Sequence, residues 1–330
     1  MTFVESFTEA KDPSRPETNE DRIVVLPERA YAVVDGATDK SGKRWDGLTG
    51  GQIAAEAVAD EVIAVALSDV PAPSGRVLVD RIARKIRAHY VRLGIEAEAE
   101  ADPLSRFSAS LALALAVPGG WRLYRVGDSG IRLNGTETLL EEGLLDPIYS
   151  LFRTALWHGF AAQGLAVDEI DRRARQRLVE GAAHPSEDST LVLAARNRAV
   201  ALAIDRFPVL SAEEVGPVLD HGLRRQAGYR DRSHLYRDRA HPLGYGPLDG
   251  WPISDRFIHV DERPRASIRS IELFTDGYYG VAAGARLADW EAWLDGVQRE
   301  DPHRIGRFAS TKGSVPGRNA DDRSVVIVHP

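Results

Sequence analysis

Tyr31-Ala32-Val33-Val34-Asp35-Gly36-Ala37-Thr38-Asp39 reads as an apolar strand that stops at an aspartate. Such a strand carries Asp35 to the edge of a core. Gly36 lets the backbone turn away at once, so that one carboxylate and nearby carbonyl oxygens can face a hard cation. An Asp-Gly pair after an apolar run is also a common turn signal, and alone it reads more readily as a turn. Repetition shifts that balance. Ile271-Glu272-Leu273-Phe274-Thr275-Asp276-Gly277 has the same form, and Asp321-Asp322-Arg323-Ser324-Val325-Val326-Ile327-Val328 places acids at the start of an apolar strand. Glu20-Asp21 stands just before Ile23-Val24-Val25-Leu26. Acids thus mark the ends of four predicted strands.

A chain of 330 residues suits either one large domain or two. With 43% hydrophobic and 28% charged residues it has the composition of an ordinary globular protein with a substantial core. The net charge of −7 gives no electrostatic footprint for nucleic acid or an anionic membrane. The absence of cysteine removes disulfides, a thiolate nucleophile and cysteine-based zinc sites, and suits a reducing compartment. Glu5, Glu9, Asp12 and Glu17 interrupt the first thirty residues, which therefore do not read as a signal peptide, and no apolar stretch reaches bilayer length. The expectation is a cytoplasmic protein without nucleic-acid or membrane partners.

Along the chain, residues 3–8 and 22–35 read as strands, the latter broken into a hairpin at Pro27-Glu28-Arg29. Helical spacing follows over residues 49–68 and 77–93, and strand character returns over 107–117, 121–126 and 130–134. Residues 146–183 lean to helix. Thr190 to Leu193 and Ala199 to Ile204 are expected to form a hairpin around Arg196-Asn197-Arg198. Gly228 to Gly250 reads as an exposed loop bordering the site. Strands are expected at 257–260 and 268–275, then a helix through Leu287, Trp290, Trp293 and Val297, a loop over 311–320 and a last strand. With no repeat and no convincing linker, residues 1–330 are read as one domain, elaborated at about 137–250.

Acids so far apart in sequence suit a site built from the strand ends of two facing sheets. Asp35, Asp276 and Asp321, with Glu20 or Asp21, would hold two Mg²⁺ or Mn²⁺ ions and leave positions for water. No His cluster has zinc spacing, and hard oxygen ligands favour magnesium or manganese.

In order, Asn19-Glu20-Asp21, Val34-Asp35-Gly36, Ser108-Ala109-Ser110, Val126-Gly127-Asp128-Ser129, Phe274-Thr275-Asp276-Gly277 and Asp321-Asp322-Arg323-Ser324-Val325 resemble the motif series of the metal-dependent PP2C-type protein phosphatases. The resemblance implies an α+β fold, a four-layer α-β-β-α sandwich of two central antiparallel sheets flanked by helix pairs, with a binuclear Mn²⁺/Mg²⁺ centre at one edge. It implies that Asp35 bridges both metals, that Gly36 offers its carbonyl to one, and that Asp276 and Asp321 bind the second. Glu20 and Asp21 would act on the metals directly or through water. Asp128 matches the position that, with Asp276, hosts a weaker third ion in some relatives. The chain departs from the pattern in three places. Thr38-Asp39 stands where the family usually has a Gly pair, and Ala37 where the animal enzymes have a His, which removes the obvious general acid. Pro16 stands where a phosphate-binding Arg is usual, leaving Arg15, one residue further back, as the candidate.

Other signals read as structure. Gly127-Asp128-Ser129-Gly130 imitates a protease nucleophile segment, but its flanking strands suit a hairpin. His184, Ser186 and Asp188 read as loop residues before a strand, Thr49-Gly50-Gly51 as a helix start, and Trp290 with Trp293 as core. The expected function is hydrolysis of phosphomonoesters, foremost phosphoserine and phosphothreonine in proteins, through a metal-activated water, with Asp35, Asp276 and Arg15 as the catalytic group. The alternatives are a non-catalytic PP2C-like binding or regulatory module and a phosphatase of small metabolites on the same fold.

Overall fold

The computed structural model describes residues 2–37, 42–141, 143–230, 241–313 and 317–330. Among the described residues, ten strands run as β1 (Phe3–Glu9), β2 (Arg22–Leu26), β3 (Ala30–Gly36), β4 (Ala109–Val117), β5 (Gly120–Val126), β6 (Gly130–Leu133), β7 (Glu137–Leu139), β8 (His259–Pro264), β9 (Ile271–Phe274) and β10 (Arg323–His329). The α-helices among those residues run as α1 (Gly50–Ala66), α2 (Gly75–Leu93), α3 (Glu96–Ala101), α4 (Leu145–Ala161), α5 (Val167–Glu180), α6 (Ser189–Arg206), α7 (Ala212–His221) and α8 (Leu287–Glu300). None of the described helices is long and apolar enough to cross a membrane.

The chain divides into two units, the first made of Met1–Glu142, Tyr245–Gly296 and Asp321–Pro330. It contains all ten strands in two antiparallel sheets, ordered β2-β3-β4-β5-β8 and β1-β10-β9-β6-β7. Period-two alternation sets the layers. Tyr31 and Val33 of β3 join Ala112, Leu123, Ile131, Leu273 and Val326 in a core shared by the two sheets. Ala30, Ala32 and Val34 face the other way, onto Ile53, Val58 and Val62 of α1 and Ile82 and Ile86 of α2. Across the sandwich, Val325 and Ile327 of β10 turn outward onto Trp290 of α8. The four-layer α-β-β-α order expected of the sequence is therefore present. Among the described residues of this unit, the second sheet is covered by α8 rather than by a helix pair.

The sequence holds α1 in place at its start. Thr49 and Gln52 form a reciprocal capping box that satisfies backbone groups the helix leaves open. Gly36 and Gly51 are glycine for want of space: a Cβ on Gly36 would lie 2.6 Å from the Glu20 and Gly51 carbonyl oxygens, and one on Gly51 would lie 2.7 Å from Glu20 Oε1. The end of β3, the start of β2 and the first turn of α1 thus meet as bare backbone.

The second unit, Gly143–Gly244 and Val297–Ala320, is helical. Here α4 packs on α5 and α6, burying Phe152, Leu156, Phe160, Ala174 and Leu178. Arg153, fully buried, donates to the His303 and Arg304 carbonyls at 2.9 Å and to Asp171 at 2.9 Å. The expected hairpin over residues 190–204 is instead the single helix α6. Its buried residues, Val192, Ala195, Ala199, Val200 and Ala203, recur at helical spacing, and Arg196-Asn197-Arg198 is one turn of that helix rather than a bend. His184, Ser186 and Asp188 therefore precede a helix, not a strand. Two smaller corrections belong to the first unit. Residues 255–257 form a 3₁₀ turn ahead of β8. The segment at Gly127-Asp128-Ser129 joins strands of different sheets, so β5 and β6 make no hairpin.

Candidate metal centre

Strand direction brings the acids to one rim of the sandwich. Because β2 and β3 are antiparallel with Arg22 opposite Val34, Asp21 at the start of one strand lies beside Asp35 at the end of the other. On the second sheet β9 and β10 pair antiparallel with Phe274 opposite Val325, which puts Asp276 after β9 and Asp321 before β10 at the same end of the sheet. Asp128 lies in the crossing from β5 to β6. By alternation the Asp35 side chain leaves β3 on the same face as Tyr31 and Val33, toward the space between the sheets.

The electrostatics report the same convergence. Burial raises the Asp35 carboxyl well above the ordinary carboxylate range, and the charges of Asp21, Asp276, Asp128 and Asp321 push it further up. Asp21 is raised chiefly by burial and next by Asp322, with a smaller contribution from Asp321, while hydrogen bonds from Ser324 and Thr275 pull it down. Six acids from five separate stretches thus share one field around Asp35 and Asp21.

Glu20 is placed differently from Asp21. Its carboxylate accepts the Thr49 hydroxyl at the start of α1, and its backbone N–H donates to Asp322 Oδ2 at 2.9 Å. Arg15 opens the short 3₁₀ turn Pro16–Thr18, is largely exposed and pairs with Asp12 at 3.5 Å. Gly36 sits opposite Ala109 of β4, and Asp35 opposite Ser110, whose hydroxyl is 2.6 Å from that of Ser129. That serine pair accounts for the protease-like Gly-Asp-Ser-Gly stretch as buried structure. Trp290 is fully buried, as expected of core. Thr38-Asp39 and residues 231–240 of the Gly228 to Gly250 loop lie outside the described residues. What sequence reading passed over is the hydrogen-bonding frame: Thr275, Asp322 and Thr49 hold the acids in place, and the first two stand next to acids that the motifs single out.

Among the described residues, no three His, Asp or Glu side chains stand at ligand spacing around one point. The donor set nonetheless fits a hard divalent cation. All the converging groups are carboxylates, and the Asp35 carboxylate forms no hydrogen bond or ion pair among the described residues. A cation would relieve the repulsion that raises Asp35 and Asp21, and oxygen donors suit Mg²⁺ or Mn²⁺ over softer metals.

Residues 14–143 match the family model described as Protein phosphatase 2C. Solved structures similar to the chain include the serine/threonine phosphatase PstP/Ppp of Mycobacterium tuberculosis, at 14% identity and a TM-score of 0.44, covering 99% of this chain and 98% of that one. Another is the serine/threonine phosphatase Stp1 of Staphylococcus aureus, at 11% identity and a TM-score of 0.47, covering 100% and 95%. The catalytic domain of PstP has also been solved in complex with two manganese ions. No curated protein matches the sequence. The family match spans four of the six motifs, from Asn19-Glu20-Asp21 to Val126-Gly127-Asp128-Ser129, and with it the resemblance of this chain to the PP2C-type phosphatases is shown.

Proposed function

We propose that the protein is a divalent-metal-dependent phosphomonoester hydrolase acting on phosphoserine and phosphothreonine in proteins of the cytoplasm. The observation that carries the reading is the convergence of Asp21, Asp35, Asp128, Asp276 and Asp321 at the strand ends of both sheets, where burial and then the charges of the other four raise the Asp35 carboxyl. The matched family, described as a protein phosphatase, directs the substrate proposal to proteins.

In this reading Asp35, Asp276 and Asp321 hold two Mn²⁺ or Mg²⁺ ions with the Gly36 carbonyl, Asp21 contributes directly or through water, and Asp128 with Asp276 serves a weaker third ion. Such ions supply Lewis-acid polarisation of the phosphoryl group and a nucleophile available at neutral pH. The chain's own part is positional. Asp21 is oriented by the Thr275 hydroxyl at 2.9 Å, and Asp35 is fixed by the β3–β4 ladder. Glu20 braces the first turn of α1 through Thr49. Arg15, largely exposed, is free to turn from Asp12 toward a phosphate and offer two parallel N–H donors.

The test is hydrolysis of an aryl phosphate and of phosphopeptides with and without Mn²⁺. Metal-stimulated turnover that disappears in Asp35→Asn supports the reading. Turnover insensitive to chelation, or intact in the variant, ends it. A second reading, a PP2C-like module that binds without turnover, draws on the engagement of Glu20 by Thr49 and of Arg15 by Asp12. Mn²⁺ titration without any hydrolysis would select it.

A further inference from the structure

Asp322 follows a candidate ligand and had no role of its own in the motif. Its carboxylate accepts two backbone N–H groups, that of Lys11 on Oδ1 and that of Glu20 on Oδ2, the latter at 2.9 Å. Those two residues are the two ends of one loop. Lys11 leaves β1, Glu20 leads into β2, and between them lie Asp12, Arg15 and the 3₁₀ turn Pro16–Thr18. One side chain therefore closes a surface loop at its neck. The neck is held from the other side too. A Cβ on Gly277 would lie 2.0 Å from the Asp322 carbonyl oxygen, so the turn that carries Asp276 rests on the Asp322 backbone. Asp322 also donates its N–H to Asp321 Oδ1 at 3.1 Å.

We propose that Asp322 is a positioning residue that ties the 11–20 loop to the start of β10, and so fixes Asp21 and Arg15 relative to Asp321 and Asp276. The proposal rests on the metal-centre reading and deepens it. The chemistry calls for a carboxylate at this position. Two N–H donors converge on it, and an ionised carboxylate offers only acceptors. A side-chain amide has one oxygen and would turn its NH₂ against the other donor. A carboxylate at this place costs something, because it lies close enough to Asp21 to raise that acid. The loop it closes accounts for a carboxylate standing here beside other acids.

The experiment compares wild type, Asp322→Ala and Asp322→Asn by amide hydrogen exchange in the metal-free protein and by calorimetric Mn²⁺ titration. In Asp322→Ala, exchange at Lys11 and Glu20 is expected to rise by about tenfold or more, as for loss of a hydrogen bond to a charged group, while Val33 and Val326 in the sheets keep their wild-type rates. Mn²⁺ affinity is expected to fall about tenfold. Asp322→Asn should release one of the two amides and not the other, and recover part of the affinity; it also keeps the comparison open if the alanine variant fails to fold. Unchanged exchange at Lys11 and Glu20 in both variants overturns the proposal. Faster exchange with unchanged Mn²⁺ affinity overturns it as well, and leaves the metal centre standing. Wild-type protein that binds no Mn²⁺ removes the metal-centre reading first, and the proposal with it.

Discussion

The hydroxyl of Thr275 donates to Asp21 Oδ2 at 2.9 Å and accepts the Ser324 N–H at 2.9 Å, so one buried threonine joins an acid on the first sheet to the backbone of the second. Removing the hydroxyl takes a partner from two buried groups at once. Thr275→Val is expected to lower stability by about 1–3 kcal/mol, and Thr275→Ser to restore most of it. Urea unfolding of the metal-free proteins measures both, and a valine variant as stable as wild type would mean the bridge carries no weight.

Asp35 gives a stability prediction whose sign depends on pH. Its carboxyl is raised in the folded protein, so the native state binds this proton more tightly than the unfolded chain, and ionisation opposes folding. The destabilisation is absent below the unfolded value near 3.8, grows as pH rises past it, and is complete above the folded value. Asp35→Asn should therefore melt higher than wild type in chelator at pH 7.5, and the gap should close toward pH 4. Saturating Mn²⁺ is expected to reverse the order by stabilising wild type alone. Thermal melts across pH, with and without Mn²⁺, decide it.

Asp276 lies on an exposed turn, and its replacement should leave the fold alone. Asp276→Asn is expected to abolish Mn²⁺-stimulated aryl phosphate hydrolysis while shifting stability by no more than about 0.5 kcal/mol. Turnover and a urea midpoint from the same preparation test the two halves together.

Arg15→Ala should act on substrate and not on folding. Its exposed pairing with Asp12 contributes at most about 1 kcal/mol. KM for an aryl phosphate is expected to rise several-fold with a smaller change in kcat; an unchanged KM would reassign phosphate binding to another side chain.

Away from the rim, Arg132 of β6 and Glu272 of β9 form a buried ion pair, to which Trp290 Nε1 adds a hydrogen bond at 3.3 Å and Ser270 Oγ one at 3.2 Å. Arg132 also donates to the Ala282 and Gly284 carbonyls, which holds the segment leading from Asp276 to α8. Arg132→Met strands a buried carboxylate and should cost about 3–5 kcal/mol, and adding Glu272→Leu should recover much of it. Denaturant curves of the single and double variants measure the difference.

The acids were legible because each sits where an apolar strand ends, a local pattern, and antiparallel pairing then does the gathering. The helical middle was less so. Thr190 to Leu193 and Ala199 to Ile204 are short runs rich in apolar residues, and such runs do not separate strand from helix until the packing of Val192, Ala195 and Ala199 is known. The crossing at Asp128 failed for a related reason. Two strands around a glycine look like a hairpin, and only distant partners, β8 for one and β9 for the other, pull them into different sheets. The bracing of Glu20 by Thr49 joins residues far apart in sequence through a single hydroxyl, a contact no periodicity announces.

Since the rim takes Asp35 from one sheet and Asp276 and Asp321 from the other, any ion held there rivets the sandwich at that mouth. The β2–β3 turn at Pro27-Glu28-Arg29 lies at the opposite end and gains no such fastening. Under tension or heat the loaded protein should therefore gape from the hairpin end, and the stripped protein from either.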